Sequence, residues 1–126
     1  MTDCVFCKIV KGEIPSTKVY EDGDIIAFMD IHPAAPVHVL VVPKKHIRNL
    51  ASVKDSDEKI LGKVQIVASR LSKKLGIGEA FRLLMANGEF AGQTVQHLHY
   101  HLVGGWKEKT TEKDFKKESA PGGLRQ

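Results

Sequence analysis

His97-Leu98-His99-Tyr100-His101-Leu102-Val103 alternates imidazole and apolar side chains. Successive side chains of a strand point to opposite faces, so this spacing predicts a strand. His97, His99 and His101 then share one face, while Leu98, Tyr100 and Leu102 take the other. The apolar set calls for a covering helix, and the histidines call for an open face. An exposed polar stripe and a zinc site built from this strand alone are two competing readings. The zinc site fails on distance, because His97 and His101 would lie ~13 Å apart at ~3.3 Å per residue. Zinc–imidazole bonds are only ~2 Å long, so the histidines must divide their labour.

A neutral imidazole attacks phosphorus without first losing a proton, and it also leaves readily. Neighbouring histidines fix its tautomer and exchange protons near neutral pH. Such chemistry also needs donors around the phosphoryl oxygens. The segment from Asn87 to Thr94 ends just before the histidines and can supply them. Within it Gly88 and Gly92 permit close backbone approach.

Working outward, Lys18–Glu21 and Ile25–Met29 read as a hairpin turning at Asp22-Gly23-Asp24. Ile31–Pro36 holds two prolines and reads as a loop, with His32 in it. His38–Val42, closed by Pro43, reads as a central strand, and Phe81–Ala86 as another. Apolar residues at 60, 61, 64, 67, 68, 71 and 75 keep helical spacing. Asp55 or Ser56 suits that helix's start, Lys73 and Lys74 its last turn, and Gly76 its stop. Residues 4–11 predict a short helix ending at Gly12. The expected fold class is α+β: one five-stranded antiparallel sheet, a long helix on one face, and a second face left for ligand or solvent.

The 126 residues suit one domain, and 42% hydrophobic with 27% charged residues describe a globular chain. The net charge of +4 is spread along the sequence, and aromatics make up 6%. Neither a basic stripe nor a stacking surface for nucleic acid is expected. No apolar run suits a membrane span, and no secretory signal is visible, so the expected compartment is the cytoplasm. Residues 104–126 read as a partly ordered tail.

Gly92-Gln93-Thr94-Val95-Gln96-His97-Leu98-His99-Tyr100-His101-Leu102-Val103-Gly104-Gly105 resembles the motif of the histidine triad (HIT) superfamily. The resemblance extends upstream through Asp30–His38 and Pro43-Lys44-Lys45-His46, and covers about residues 4–105, leaving 106–126 as tail. It is nearest to the Hint branch of adenosine 5′-monophosphoramidases. The resemblance implies that His99 is the nucleophile and takes up a nucleoside monophosphate covalently, with His101 and His38 supporting it. It places Asn87, Gln93 and Thr94 at the α-phosphate and leaving group, where many relatives have serine in place of Thr94. It places Asp30 on the ribose hydroxyls and Ile31 beside sugar and base. It further implies a homodimer joined into a ten-stranded sheet, with tail residues such as Trp106 near the partner's site. Hydrolysis of dinucleoside polyphosphates, nucleotidyl transfer and non-catalytic nucleotide binding are the alternatives within this reading.

Cys4 and Cys7 stand two residues apart, where a disulfide is not expected in a reducing compartment. Buried thiols, a redox pair and a zinc site remain open from the residues alone. Many bacterial members of the family resemble a Cys₂His₂ zinc site, which here implies Cys4, Cys7, His46 and His97 as ligands of a structural zinc.

Overall fold

The computed structural model describes residues 4–110. A short helix α1 (Val5–Val10) precedes strands β1 (Lys18–Glu21), β2 (Ile25–Met29) and β3 (Val37–Pro43). The long helix α2 (Glu58–Lys74) follows, then β4 (Phe81–Leu84) and β5 (Tyr100–Gly104). The five strands form one antiparallel sheet in the order β1-β2-β3-β5-β4. The expected α+β fold is therefore present, with β3 at the centre.

Strand alternation sorts β2 and β3 into two sets. Ile25, Ala27, Val39 and Val41, joined by Leu102 of β5, face α2 and pack against Val64, Val67, Ala68 and Leu71. Ile26, Phe28, Leu40 and Val42 face the other way and pack under Phe6 of α1. The second face is therefore not open, as the sequence suggests, but half covered. An unbroken apolar run such as Ile25–Met29 marks a strand buried on both sides.

Helix α2 starts later than its capping residues predict. Asp55–Asp57 form a 3-10 turn, and Asp57 takes the cap position. Its carboxylate accepts the Lys54 N–H at 2.9 Å and the Lys45 ammonium at 2.6 Å. At the other end Gly76 has φ +79°, a left-handed conformation that costs glycine little. The Ile77 N–H then reaches back to the Ser72 carbonyl at 2.8 Å, which satisfies the helix end.

The histidine strand is shorter than its alternation predicts. Pairing of β5 with β3 begins at Tyr100, opposite Val41. Residues 95–97 form a bend, and the Leu98 N–H goes to the Ile47 carbonyl at 2.6 Å rather than to β3. His97 and His99 thus precede the strand, and only His101 lies in it. Likewise β4 stops at Leu84 instead of reaching Ala86.

Gly104 belongs to β5, where a Cβ would meet Ile77 Cδ1 at 2.9 Å and the Ala80 carbonyl oxygen at 3.1 Å. The sheet therefore extends one residue into the segment read as tail. Beyond it, the Trp106 ring lies 5.1 Å from the Arg82 guanidinium of the same chain. The tail expectation for residues 111–126 falls outside the described residues. Among those described, no helix is long and apolar enough to cross a membrane.

Candidate active site and metal centre

Hydrogen bonds assign the tautomers of four histidines, residue by residue. The Ala34 N–H donates to His38 Nδ1 at 2.9 Å, so the neutral His38 ring carries its proton on Nε2. That nitrogen lies 2.8 Å from His101 Nδ1, which must accept. His101 therefore carries its own proton on Nε2. His99 Nδ1 lies 2.7 Å from the His97 carbonyl oxygen and must donate to it. The lone pair of His99 consequently sits on Nε2. His97 Nε2 donates to the Pro43 carbonyl at 2.8 Å, which leaves the lone pair on its Nδ1.

All four rings lie on the side of the sheet that Phe6 covers. Phe6 meets His99 edge-on at 5.0 Å between ring centroids and His97 at 5.9 Å. His99 and His101 are 5.1 Å apart, as are His101 and His38. Each of these imidazoles is buried. Burial pushes the His38 imidazole below its ordinary pKa, opposed by the nearby Asp30 charge. Burial also holds His97 down at about 4. Both rings are accordingly neutral near pH 7.

Asp30 Oδ1 accepts the His32 N–H at 2.7 Å. Its Oδ2 is buried without a hydrogen bond, 3.3 Å from His38 Nε2. An acceptor left unmet in this way suits a ligand hydroxyl. Asp30, His38 and His101 stand close enough to suggest a cation site. The His38 proton on Nε2 argues against it, because that nitrogen offers no lone pair.

Under α1 opens a cavity of about 510 Å³, walled by Phe6, Ile9, Phe28, Leu40, Asp30 and Ile31 among others, of which Phe6 meets His99 and Asp30 meets His38. Its apolar sides with one buried carboxylate are typical of a small-molecule pocket. Ile31 is exposed at its rim. The loop before the histidines is braced internally. Gln93 Oε1 accepts the Gly88 N–H at 2.7 Å, and its Nε2 donates to the carbonyls of Arg48 and Val95. Asn87 Oδ1 accepts the Ala51 N–H at 2.8 Å. Gln93 is buried, so its side chain shapes the loop, while Thr94 next to it is exposed.

Cys4, Cys7, His46 and His97 form a separate cluster whose ligand atoms all lie within 4.8 Å of one another. His97 Nδ1 is 3.3 Å from Cys4 Sγ, 3.7 Å from Cys7 Sγ and 3.1 Å from His46 Nδ1. Cys7 Sγ is 3.3 Å from His46 Nδ1. Tetrahedral zinc bonds of ~2.0–2.3 Å require ligand separations of roughly 3.3–3.8 Å, close to these. The tautomers fit as well, since His97 turns its lone pair inward while the Pro43 carbonyl holds the other ring nitrogen. The cluster can hold a metal ion. Burial, then the neighbouring Cys4, pushes the Cys7 thiol up, and a cation would reverse that.

Phe6 is the residue that sequence reasoning missed. Its position inside the Cys4–Cys7 pair gives a signal only once the pair is known to sit beside the histidines.

A five-stranded α+β domain with a buried histidine chain over its central strands defines the structural class. The HIT domain family model matches residues 11–108, and the chain belongs to that family. It is 47% identical over 103 residues to an uncharacterized HIT-like protein of Synechocystis sp., covering 82% of this chain and 90% of that one. Among solved structures, it is similar to a HIT family hydrolase from Clostridium thermocellum, with a TM-score of 0.84 and 49% identity. That match covers 88% of this chain and 97% of the other. A histidine triad nucleotide-binding protein from Candida albicans matches at a TM-score of 0.73 and 35% identity, over 91% of each chain.

Proposed function

We propose that the chain hydrolyses the P–N bond of purine nucleoside phosphoramidates through a nucleotidyl intermediate on His99. The observation that carries this reading is the His99 tautomer. Its Nδ1 proton is spent on the His97 carbonyl, so the lone pair on Nε2 is the nucleophile. Solved relatives named as a hydrolase and as a nucleotide-binding protein support the substrate class.

Nε2 of His99 forms a bond to the α-phosphorus as the P–N bond breaks, and the amine leaves with a proton. We assign that proton to the Thr94 hydroxyl, which regains it from the water that attacks next. The water's oxygen bonds to phosphorus, the His99–phosphorus bond breaks, and the nucleoside monophosphate departs. The positive charge on phosphorylated His99 is met by the His97 carbonyl. His101, holding its proton on Nε2 through His38, donates to a phosphoryl oxygen as negative charge builds there. The unmet Asp30 oxygen takes the ribose hydroxyls, the apolar cavity takes the base beside Ile31, and backbone amides of residues 87–94 receive the phosphate. Asn87 and Gln93 hold that loop in shape.

Zinc on Cys4, Cys7, His46 and His97 would supply a cross-link between the N-terminal turn and the end of β3. We read the native assembly as a cytoplasmic homodimer, supported by β4 lying at a sheet edge with its outer side unpaired among the described strands.

Quenching the protein with an adenosine phosphoramidate and digesting it for mass spectrometry tests the mechanism. An adenylate adduct on the His99 peptide, absent in His99→Gly, is expected. Faster turnover of a diadenosine polyphosphate than of the phosphoramidate would overturn the substrate assignment. Turnover with no adduct would overturn the route.

A further inference from the structure

The metal-type cluster and the reactive histidine are not separate features. His97 belongs to both, since its side chain offers Nδ1 to the cluster while its carbonyl accepts from His99 Nδ1. Phe6 also belongs to both. It sits between Cys4 and Cys7 on a helix of only six residues, and its edge-on contact limits the His99 ring. A helix that short is not stable by itself. The Lys8 and Lys11 amides bond to the carbonyls of Cys4 and Cys7, and the Cys7 N–H points to Cys4 Sγ at 3.3 Å. What ties α1 to the sheet is the packing of Phe6, with Ile9 and Val10 beside it, and the four-residue cluster at its start.

We propose that Phe6 and His97 are positioning residues for His99, and that a zinc ion on Cys4, Cys7, His46 and His97 locks both of them in place. The ion fixes the His97 ring between itself and the Pro43 carbonyl, and so sets the direction of the His97 carbonyl. The same ion holds Cys4 and Cys7, and with them the turn that seats Phe6 against His99. The metal thus governs nucleophile orientation from outside the reacting atoms. This inference rests on the reading of His99 as nucleophile and of the cluster as a zinc site.

The test uses the full chain with ¹⁵N-labelled histidine, loaded with zinc, then stripped with a chelator, then reloaded. In the loaded protein the His99 ring signals should show the single Nδ1-protonated tautomer. After stripping they should move to a tautomer mixture, with faster hydrogen exchange at Lys8 and Lys11, and reloading should restore both. Backbone signals of β3 and β5 should stay in place throughout, which excludes general unfolding. Loaded Phe6→Leu should show the same mixture although its cluster is intact. The single-turnover rate of adduct formation should fall roughly 10–100-fold on stripping, as for other residues that orient a reactive group indirectly.

A His99 tautomer unchanged by stripping overturns the proposal, as does a protein that takes up no stoichiometric zinc. Absence of any adduct in the loaded protein instead overturns the nucleophile assignment, and the ring signals still decide the positioning claim.

Discussion

The two faces of the sheet differ in what they ask of the same strands. On the α2 side, β2, β3 and β5 present only apolar side chains, and Leu71 and Val67 fill the space between layers. On the α1 side a smaller apolar cluster under Phe6 gives way to His99, His101 and His38. Period-two alternation along β3 sends Val39 and Val41 one way and His38 and Leu40 the other. One face holds the fold and the other carries the proposed chemistry. Damage to each should therefore appear in different measurements.

The largest expected effect lies on the histidine face. His99→Gly should lower turnover by roughly 10⁴-fold or more, with a much smaller loss of stability from the ring's packing on Phe6. A loss of stability comparable to the loss of rate would break the separation. On the opposite face, Leu71→Ala should cost about 2–5 kcal/mol of stability in denaturant titrations. The folded fraction should keep its kcat and KM, and a kinetic defect without unfolding would show that the faces are coupled through the sheet.

Asp30→Asn sharpens the comparison further, because it keeps the shape but weakens acceptance of ribose hydroxyls. Nucleoside monophosphate binding should weaken about 5–100-fold, the equivalent of about 1–3 kcal/mol. A 2′,3′-dideoxy analogue should bind wild type and variant alike. Equal weakening for both ligands would show that Asp30 acts through His38 instead.

The smallest effect concerns the start of α2. The Lys45 ammonium, followed by the Lys54 N–H, holds the Asp57 carboxyl below its ordinary pKa. A folded-state pKa depressed in this way adds stability that is complete above the ordinary carboxylate value. That stability fades as pH falls through the folded value. Wild type should therefore exceed Asp57→Asn in stability near neutral pH, and the gap should narrow in acid melts below the ordinary carboxylate range. A gap that persists there would assign the loss to packing rather than charge.

Legibility in the sequence followed the range of the interactions involved. Helix α2 and strands β1 to β3 were readable because period and punctuation are local, and Gly76 stops the helix where its spacing ends. The separation of His97 from His101 was readable from distance alone, and the structure places them in different clusters. The length of the histidine strand was not readable. His97 meets Pro43, 54 positions away, and Leu98 meets Ile47, so long-range partners bend a segment whose alternation looks regular. Gln93 resembled a phosphate ligand, yet its amide is consumed by Gly88, Arg48 and Val95, which only folding brings together. The half-covered second face went unread for the same reason. Its lid, Phe6, lies 93 positions from the histidine it touches.

Register between β3 and β5 sets Leu40 against His101 and Val41 against Tyr100. Adding or deleting a single amino acid within that pairing would exchange inward and outward sides along the remainder of the strand. The His101 imidazole would be driven beneath α2, and Leu102 would be turned toward the histidine side. Substitution libraries can therefore explore Tyr100–Gly104 one side chain at a time, whereas length variants there would be lost together, whichever amino acid was inserted.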